Sequence, residues 1–241
     1  MSIEIVADAP AVATRAADII CASVRANPRA VLGLPTGGTP IAAYTEIARR
    51  VAAGDADLSR ATVFAVDEFA SATAATPGTN ADFFRRFVTF PLGALHCPDP
   101  AAADPDAHIR AFAAQLRATG GCDLCVLGIG ENGHVAFNEP GSARDSRARA
   151  VALTETSRQA HAANFGAIDR VPARGMTLGI ADLAESRSLL VLAHGAHKAA
   201  IVRAAIDGPA TPEVPASLLR DHPHLTWLLD RAAAADLAVS G

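Results

Sequence analysis

The sequence predicts an α/β fold built around a mostly parallel sheet, and two observations support this prediction. Short apolar and β-branched runs, typical of buried strands, alternate with longer alanine-rich stretches that have helical spacing. Half of the 241 residues are apolar, which is enough to cover both faces of such a sheet. No internal repeat or linker-like segment divides the chain, so we expect a single domain over residues 1–241.

Five apolar runs are expected to form the strands of this sheet: 30–34, 62–66, 124–129, 189–193 and 225–229. Helical spacing predicts helices over 9–26, 40–53, 80–87, 106–118, 155–163 and 196–206. The second helix has the clearest start, because Thr39 is a good N-cap and Pro40 is favoured at the first helical position. Two segments rich in turn-forming residues, 70–79 and 98–105, are expected to be loops.

The charge pattern excludes several classes of partner. The net charge is -4, with both signs mixed and no basic stripe or acidic tail, so we expect neither nucleic acid nor a membrane surface as partner. Residues 1–10 contain Glu4 and Asp8 rather than the basic start of a signal peptide. No apolar run approaches the roughly 18 residues of a membrane helix. These features favour a cytoplasmic protein.

The cysteine and histidine patterns do not predict a metal site. A single C-x-x-C pair, Cys122 and Cys125, is a weak zinc signal, and its place at the start of an apolar run favours buried thiols. The histidines near the C-terminus lie in different segments, without a third ligand type at suitable spacing; they are His194, His197, His222 and His224. We therefore expect no metal.

The loop after the first predicted strand has the features of an anion site. It reads Pro35-Thr36-Gly37-Gly38-Thr39-Pro40 and leads directly into a helix. Two glycines allow close approach to backbone N–H groups at a helix N-terminus, where a phosphate binds well. The alternative is an ordinary turn between a strand and a helix. In parallel sheets, ligands bind beyond the carboxyl ends of the strands, which favours the phosphate interpretation.

Two adjacent acids, Asp67 and Glu68, end the second predicted strand at the same edge of the sheet. Consecutive residues of a strand point to opposite faces, so at most one of the two carboxylates can face a pocket. The other is then expected to have a structural role. A solvated loop pair remains the alternative.

The loop after the third predicted strand, residues 127–141, contains both a G-x-G-x-x-G pattern and a histidine. A dinucleotide site requires a helix at this loop, which Pro140 and Gly141 would break. A histidine is the natural acid/base near neutral pH, and a nearby carboxylate raises its basicity and fixes its tautomer. His134, with Asn132 before it and Glu139 after it, is therefore a candidate catalytic residue.

The chain contains a single lysine among 21 basic residues, Lys198, at the start of the last predicted helix. A positive charge in a first helical turn opposes the helix dipole. A bound phosphate would offset this cost, so we interpret Lys198 as a candidate phosphate ligand.

These motifs closely resemble the glucosamine-6-phosphate deaminase family. The resemblance is carried by residues 35–40, 66–69 and 130–141, with supporting matches at 178–180, 195–198 and 215–219, and it extends over about 31–229. It implies a Rossmann-like, three-layer α/β fold. It also implies conversion of glucosamine 6-phosphate and water to fructose 6-phosphate and ammonia, with neither a metal nor another cofactor. The expected partner is this small molecule, bound to a monomer or small homo-oligomer.

The resemblance also assigns roles to individual residues. Asp67 matches the base that moves a proton between carbons 2 and 1, and His134 matches the acid/base that opens the sugar ring. Glu139 matches the acid that supports the histidine, and Asn132 matches the second member of this relay. The phosphate-binding positions of the family correspond to Thr36, Gly37, Gly38, Thr39 and Lys198.

The chain departs from the family pattern at two places. Many members have a phosphate-binding arginine where this chain has 162–164, so phosphate binding is expected to rest on Lys198 or on another arginine such as Arg158. Members with allosteric control have basic and hydroxyl residues where this chain has Val151 and Ala152. We therefore expect neither allosteric activation nor the associated hexamer.

Three alternative functions remain open. Segments 77–79, 121–128 and 174–179 are similar to proteins of galactosamine 6-phosphate metabolism. The related 6-phosphogluconolactonases share the fold and the Gly-His pair, but normally lack the sequence found here at 137–140. A non-catalytic sugar-phosphate sensor would usually need a DNA-binding module, and only residues 1–29 precede the first predicted strand.

Overall fold

Seven parallel strands form the central sheet of the computed structural model, which describes residues 1–238. The last three residues of the predicted domain lie outside the described part. In spatial order the strands are β1 (Ser2–Val6), β10 (Leu225–Asp230), β9 (Leu189–Ala193), β6 (Leu124–Gly128), β2 (Val31–Leu34), β3 (Thr62–Ala65) and β5 (Ala94–His96). Every pairing in this sheet is parallel, which confirms the predicted α/β architecture.

Helices cover both faces of the sheet. They are α1 (Ala9–Ala26), α2 (Gly38–Ala53), α3 (Asn80–Phe87), α4 (Pro105–Ala118), α6 (Ile180–Ala184) and α7 (Ala199–Ile206). A further helix, α5 (Glu155–Phe165), contributes to neither of the two cores on these faces. One buried core joins the sheet to α1, α2 and α3, and a second joins its other face to α4, α6 and α7. Neighbouring strand residues enter opposite cores: Val63 joins the first and Phe64 the second. This is the alternation expected of a strand that is buried on both faces.

A small antiparallel sheet lies at the carboxyl edge of the large one. It consists of β4 (Asp67–Phe69), β8 (Arg174–Thr177) and β7 (Arg149–Ala152), with β8 in the centre. Val66 separates β4 from β3, and its carbonyl accepts a hydrogen bond from the Leu178 amide at 3.0 Å. The chain therefore changes sheets at Val66, which places Asp67 beyond the end of β3.

All five predicted strands are present, with ends that differ by at most one residue from the prediction. The helices predicted over 9–26 and 80–87 have the predicted bounds. The helix predicted over 196–206 begins instead as a 3-10 turn, Ala196–Lys198, before α7. Segments 70–79 and 98–104 contain neither helix nor strand, and α4 begins at Pro105.

Two expectations about the strands are corrected. The first strand of the sheet is β1 rather than the run at 30–34, and β5 is a further strand that was not predicted. Both are edge strands with exposed side chains, such as Ile3 and Leu95, so neither has the continuous apolar run of a buried strand. The strands of the small sheet are short and contain charged residues, which obscured them in the same way. Across residues 1–238, no helix combines the length and apolar character needed to cross a bilayer.

Candidate active site

A cavity of about 850 Å³ opens at the carboxyl ends of β2, β3, β6 and β9. Most of the residues singled out in the sequence line it: Thr36, Gly37, Gly38, Thr39, Asp67, His134 and Lys198. Asn132 and Glu139 do not line the cavity but lie behind His134. The loops of separate strands therefore converge on one space, as the topology of a parallel sheet leads one to expect.

One end of the cavity is formed by the turn between β2 and α2. Gly37 has φ 109°, a backbone conformation that favours glycine, and a Cβ at Gly37 or Gly38 would meet no atom within 4 Å. The Tyr44 hydroxyl donates to the Pro35 carbonyl at 2.7 Å and so holds the start of the turn. The turn thus presents its backbone at the N-terminus of the 16-residue helix α2.

The Thr36 hydroxyl is bound to another protein side chain rather than left free for a ligand. Its hydroxyl donates to Asn80 Oδ1 at 2.9 Å, and Asn80 Nδ2 donates to Asp67 Oδ1 at 2.6 Å. Asn80 therefore joins the turn to the Asp67 carboxylate. Of the two threonine hydroxyls predicted near the phosphate, Thr39 is the one without a hydrogen-bond partner in residues 1–238.

Lys198 is the only lysine or arginine that lines the cavity within the described chain. Its Nζ donates to the Ile129 carbonyl at 3.0 Å. Burial lowers the pKa of Lys198, and the negative charge of Glu131 acts in the opposite direction. A half-buried ammonium with one hydrogen bond to the protein retains donors for an anion.

Arg158, the alternative phosphate ligand, does not line the cavity. Its Nη2 donates to the carbonyls of Ile168 and Val171 at 2.9 and 3.3 Å. The arginine therefore fastens the segment that follows α5, and this geometry does not support it as a phosphate ligand.

Asp67 and Glu68 have separate roles, which confirms that only one of them faces the cavity. Asp67 lines the cavity, whereas Glu68 is fully buried beneath the N-terminus of α3. Glu68 accepts hydrogen bonds from the amides of Phe69, Asn80 and Ala81 at 2.7 to 2.9 Å. It thereby satisfies amides that a helix N-terminus leaves without partners.

The environment of Asp67 makes it basic. Burial raises its pKa to about 8, the negative charge of Glu68 adds to this rise, and the hydrogen bond from Asn80 opposes it. Burial also raises the pKa of Glu68 to about 7, against the three amide hydrogen bonds. A carboxylate that retains a proton near neutral pH is suited to exchange protons with a carbon acid.

His134 is oriented by an amide rather than directly by a carboxylate. Its Nδ1 lies 2.6 Å from Asn132 Oδ1, and Asn132 Nδ2 donates to Glu139 Oε2 at 2.8 Å. This second bond fixes which end of the amide faces the ring, so Nδ1 carries the proton and Nε2 is left as the free base. Glu139 Oε2 itself is 3.7 Å from Nδ1, so its support for His134 acts through Asn132.

Burial lowers the pKa of His134, while Glu139 raises it and Lys198 lowers it further. At neutral pH the ring is therefore mostly in the base form. The Ser157 hydroxyl lies 3.2 Å from Nδ1 and completes the polar surroundings of this nitrogen.

The glycine pattern of this loop serves to pack the histidine. A Cβ at Gly130 would overlap the imidazole of His134, and the Gly130 amide donates to the His134 carbonyl at 2.9 Å. Ala136, two residues on, has φ 48° and also lines the cavity. The loop leads into β7 rather than into a helix, which is the structural reason the G-x-G-x-x-G pattern differs from a dinucleotide fingerprint.

The helix α5 forms a wall of the cavity, although the sequence indicated only Arg158 and the position 162–164 on it as possible phosphate contacts. Its cavity-lining residues are Glu155, Thr156, Gln159, Ala160, His161 and Asn164. They recur at helical spacing, but a polar helical face is ordinarily solvated, and only the fold shows that this one covers the site. The spacing of four residues between 155 and 159, and between 156, 160 and 164, is the sequence feature that could have indicated this shared face.

Cys122 and Cys125 are buried free thiols, as expected from their place at the start of β6. Within residues 1–238 the structure brings no three side chains of the His, Cys, Asp or Glu type together as a metal site would require.

Comparison with known proteins identifies the relatives of this chain. Residues 6–227 match the family model described as glucosamine-6-phosphate isomerases/6-phosphogluconolactonase. A glucosamine-6-phosphate deaminase from Arthrobacter sp. (strain FB24) is 39% identical over 244 residues, which cover 100% of this chain and 94% of that protein. One from Rhodopirellula baltica is 39% identical over 239 residues, covering 98% and 95% of the two chains.

Solved structures agree with these sequence matches. A monomeric glucosamine-6-phosphate deaminase superposes with a TM-score of 0.94 at 32% identity, over 98% of this chain and 100% of that one. A 6-phosphogluconolactonase from Trypanosoma brucei gives a TM-score of 0.76 at 21% identity, over 98% of each chain. The second match concerns the fold alone.

Proposed function

Because the chain belongs to the family of glucosamine-6-phosphate isomerases and 6-phosphogluconolactonases, we propose that it is a glucosamine-6-phosphate deaminase. It would convert glucosamine 6-phosphate and water to fructose 6-phosphate and ammonia. The observation that carries this proposal is the placement of Asp67 and His134 on one cavity with the glycine turn and Lys198. The deaminases among its relatives support the choice of reaction.

His134 is proposed to open the sugar ring. With Nδ1 held by Asn132, the free Nε2 takes the proton of the anomeric hydroxyl. The same nitrogen returns a proton to the ring oxygen as the bond from that oxygen to carbon 1 breaks. The low pKa of the imidazole favours release of this proton, so one group serves both halves of the step.

Asp67 is proposed to isomerise the open chain. Its carboxylate removes the proton from carbon 2 while the oxygen on carbon 1 takes up a proton, which leaves an enolamine between carbons 1 and 2. Asp67 then returns its proton to carbon 1, and the nitrogen releases a proton that balances the one taken up by the oxygen. The product is an imine at carbon 2, to which water adds before ammonia leaves. Burial makes Asp67 basic enough for this transfer, and the hydrogen bond from Asn80 holds its orientation.

The phosphate is proposed to bind at the other end of the cavity, on the Thr36–Thr39 turn and Lys198. The backbone amides and the N-terminus of α2 supply partial positive charge, and Lys198 supplies a full charge. Binding energy at this remote group holds carbons 1 and 2 against Asp67 and His134.

The oligomeric state and location follow as further parts of the proposal. The structure that matches at 32% identity is described as monomeric, so we propose a monomer here. A phosphorylated sugar does not cross membranes freely, so an enzyme that consumes it is placed in the cytoplasm.

An ammonia-release assay on the purified protein tests the reaction. Glucosamine 6-phosphate should release ammonia without added metal or nucleotide, and faster than galactosamine 6-phosphate. Faster release from galactosamine 6-phosphate would reassign the substrate. Hydrolysis of 6-phosphogluconolactone faster than either would favour the lactonase, and tight phosphosugar binding without turnover would indicate a sensor.

A further inference from the structure

His161 lines the cavity, yet the mechanism above gives it no role. Its ring lies edge-on to Phe69 and Phe137, with ring centroids 5.1 and 6.0 Å away and interplanar angles of 83° and 78°. Phe69 follows Asp67 by two residues, and Phe137 follows His134 by three. The imidazole therefore rests on both of the segments that carry the reacting groups.

The ring nitrogens of His161 have open hydrogen-bonding capacity. In residues 1–238, neither nitrogen makes a hydrogen bond to the protein. Within the described part of the chain, the fully buried side-chain atoms without hydrogen-bond partners are Arg158 Nε and Trp227 Nε1. The nitrogens of His161 are not among them, so they retain some access to the cavity. The phenyl neighbours pack against the imidazole but offer no hydrogen-bond partner to its nitrogens.

The charge state of His161 restricts what it can bind. Burial and, to a smaller extent, the proximity of His134 lower its pKa to about 4, while the negative charge of Glu139 acts in the opposite direction. At pH 7 only about one ring in 10³ is therefore protonated, too few for a general acid or a phosphate ligand. A neutral imidazole offers one donor and one acceptor, which suits a hydroxyl group, itself both donor and acceptor.

We propose that His161 binds the hydroxyl on carbon 3 of the substrate. This inference rests on the proposed function, which places carbons 1 and 2 at Asp67 and His134 and the phosphate on carbon 6 at the α2 turn. Carbon 3 is next to the reacting carbons, whereas carbons 4 and 5 extend toward the phosphate. The enzyme would then select amino-sugar phosphates whose 3-hydroxyl is free and reject those with a substituent on that oxygen.

The test uses the substrate reduced at carbon 1, an open-chain amino-alditol 6-phosphate that cannot react, and its 3-deoxy and 4-deoxy forms. Calorimetry compares their binding to the wild type, His161→Phe and His161→Gln. The phenyl ring keeps the aromatic packing but removes both nitrogens. We expect His161→Phe to weaken binding of the full analogue about 10- to 100-fold relative to the wild type. The same substitution should hardly change binding of the 3-deoxy analogue, which lacks the hydroxyl.

Three comparisons make this test specific. His161→Gln retains a donor and an acceptor, so it should recover part of the lost affinity, and it carries the test if the Phe variant does not fold. His96→Phe is the matched control, because His96 stacks on Phe64 at 4.6 Å but does not line the cavity. Binding of inorganic phosphate should be unchanged in every variant.

An equal loss for the full and 3-deoxy analogues, a loss that disappears with the 4-deoxy analogue instead, or no loss would overturn the assignment. The ammonia-release activity of the wild type distinguishes failure of this assignment from failure of the proposed function. A wild type that binds the analogue through His161 but releases no ammonia would refute the deaminase reaction alone.

Discussion

The two ends of the cavity differ in the groups that they present, mainly backbone groups at one end and side chains at the other. At the α2 turn the protein presents backbone amides, a helix N-terminus and one half-buried lysine, around glycines whose surroundings are open. At the reacting end, Asp67 is a buried side chain and His134 a partly buried one, and hydrogen bonds to Asn80 and Asn132 hold them in place. At the first end, attraction for an anion comes from many weak backbone dipoles and one charge. At the second end, proton transfer depends on two titratable side chains.

This difference separates binding from chemistry. A single substitution at the phosphate end removes one of several donors and should weaken binding by a limited factor. A single substitution at the reacting end removes a proton acceptor that nothing else replaces, and should lower turnover far more than affinity. Substitutions at the reacting end should therefore have larger effects on turnover than substitutions at the phosphate end have on affinity.

Asp67→Asn should lower kcat by about 10³-fold or more, because an amide cannot accept the proton of carbon 2. Binding of the reduced analogue should change little, since the amide oxygen of the variant can still accept the hydrogen bond from Asn80. Ammonia release and calorimetry measure the two effects. Asp57→Asn, at an exposed carboxylate outside the cavity, is the control. A variant that keeps a tenth of the activity would exclude Asp67 as the base.

The pH dependence provides a second check on Asp67. Its pKa of about 8 predicts that kcat/KM rises with pH through that value, as the carboxylate loses its proton. Above the ordinary value of 3.8 the unfolded chain has released this proton and the folded chain keeps it, so Asp67 makes stability fall between about pH 4 and 8. Asp67→Asn should therefore gain stability relative to the wild type as pH rises through this window, which urea unfolding at pH 5 and 8.5 would reveal.

Gly130→Ala should lower kcat by about 10²-fold, because the added Cβ would overlap the His134 ring and displace it. The size of this penalty depends on the ring being present. In a His134→Gln background, itself expected to be slow mainly with ring-closed substrate, Gly130→Ala should cost much less. Steady-state kinetics of the two single variants and the double variant measure this coupling. Additive effects would show that Gly130 acts on something other than the imidazole.

The two walls of the cavity also show what the sequence could predict. Gly37, Asp67 and Lys198 were predictable because strand ends of a parallel sheet meet at one edge, so the loops after separate strands converge. The α5 wall was not, since whether a polar helical face meets solvent or a cavity depends on tertiary packing. The relay behind His134 shows the same limit: the sequence indicated both Asn132 and Glu139, but only the fold shows that Asn132 lies between the imidazole and the carboxylate.

Lys198→Ala should raise the KM of the substrate about 10- to 50-fold and leave kcat nearly unchanged. Loss of one charge-assisted hydrogen bond costs about 1.5 to 2.5 kcal/mol, and the backbone donors of the α2 turn remain. Competitive inhibition by inorganic phosphate should weaken by a similar factor. Arg203→Ala, which removes an exposed positive charge from α7, is the matched control. An unchanged KM would place the phosphate away from Lys198.

Glu139→Gln is expected to have the smallest effect. Glu139 raises the pKa of His134 against burial, so removing its charge should lower that pKa further. The ring is already mostly neutral at pH 7, and the amide oxygen of the introduced glutamine can still accept from Asn132, so kcat there should change only a few-fold. Titration of 15N-labelled histidines by NMR measures the shift, with Glu185→Gln, at an exposed carboxylate, as control. A pKa that stays in place would mean that the charge of Glu139 does not act on the imidazole, and the reacting end would then depend on fewer groups than its hydrogen bonds indicate.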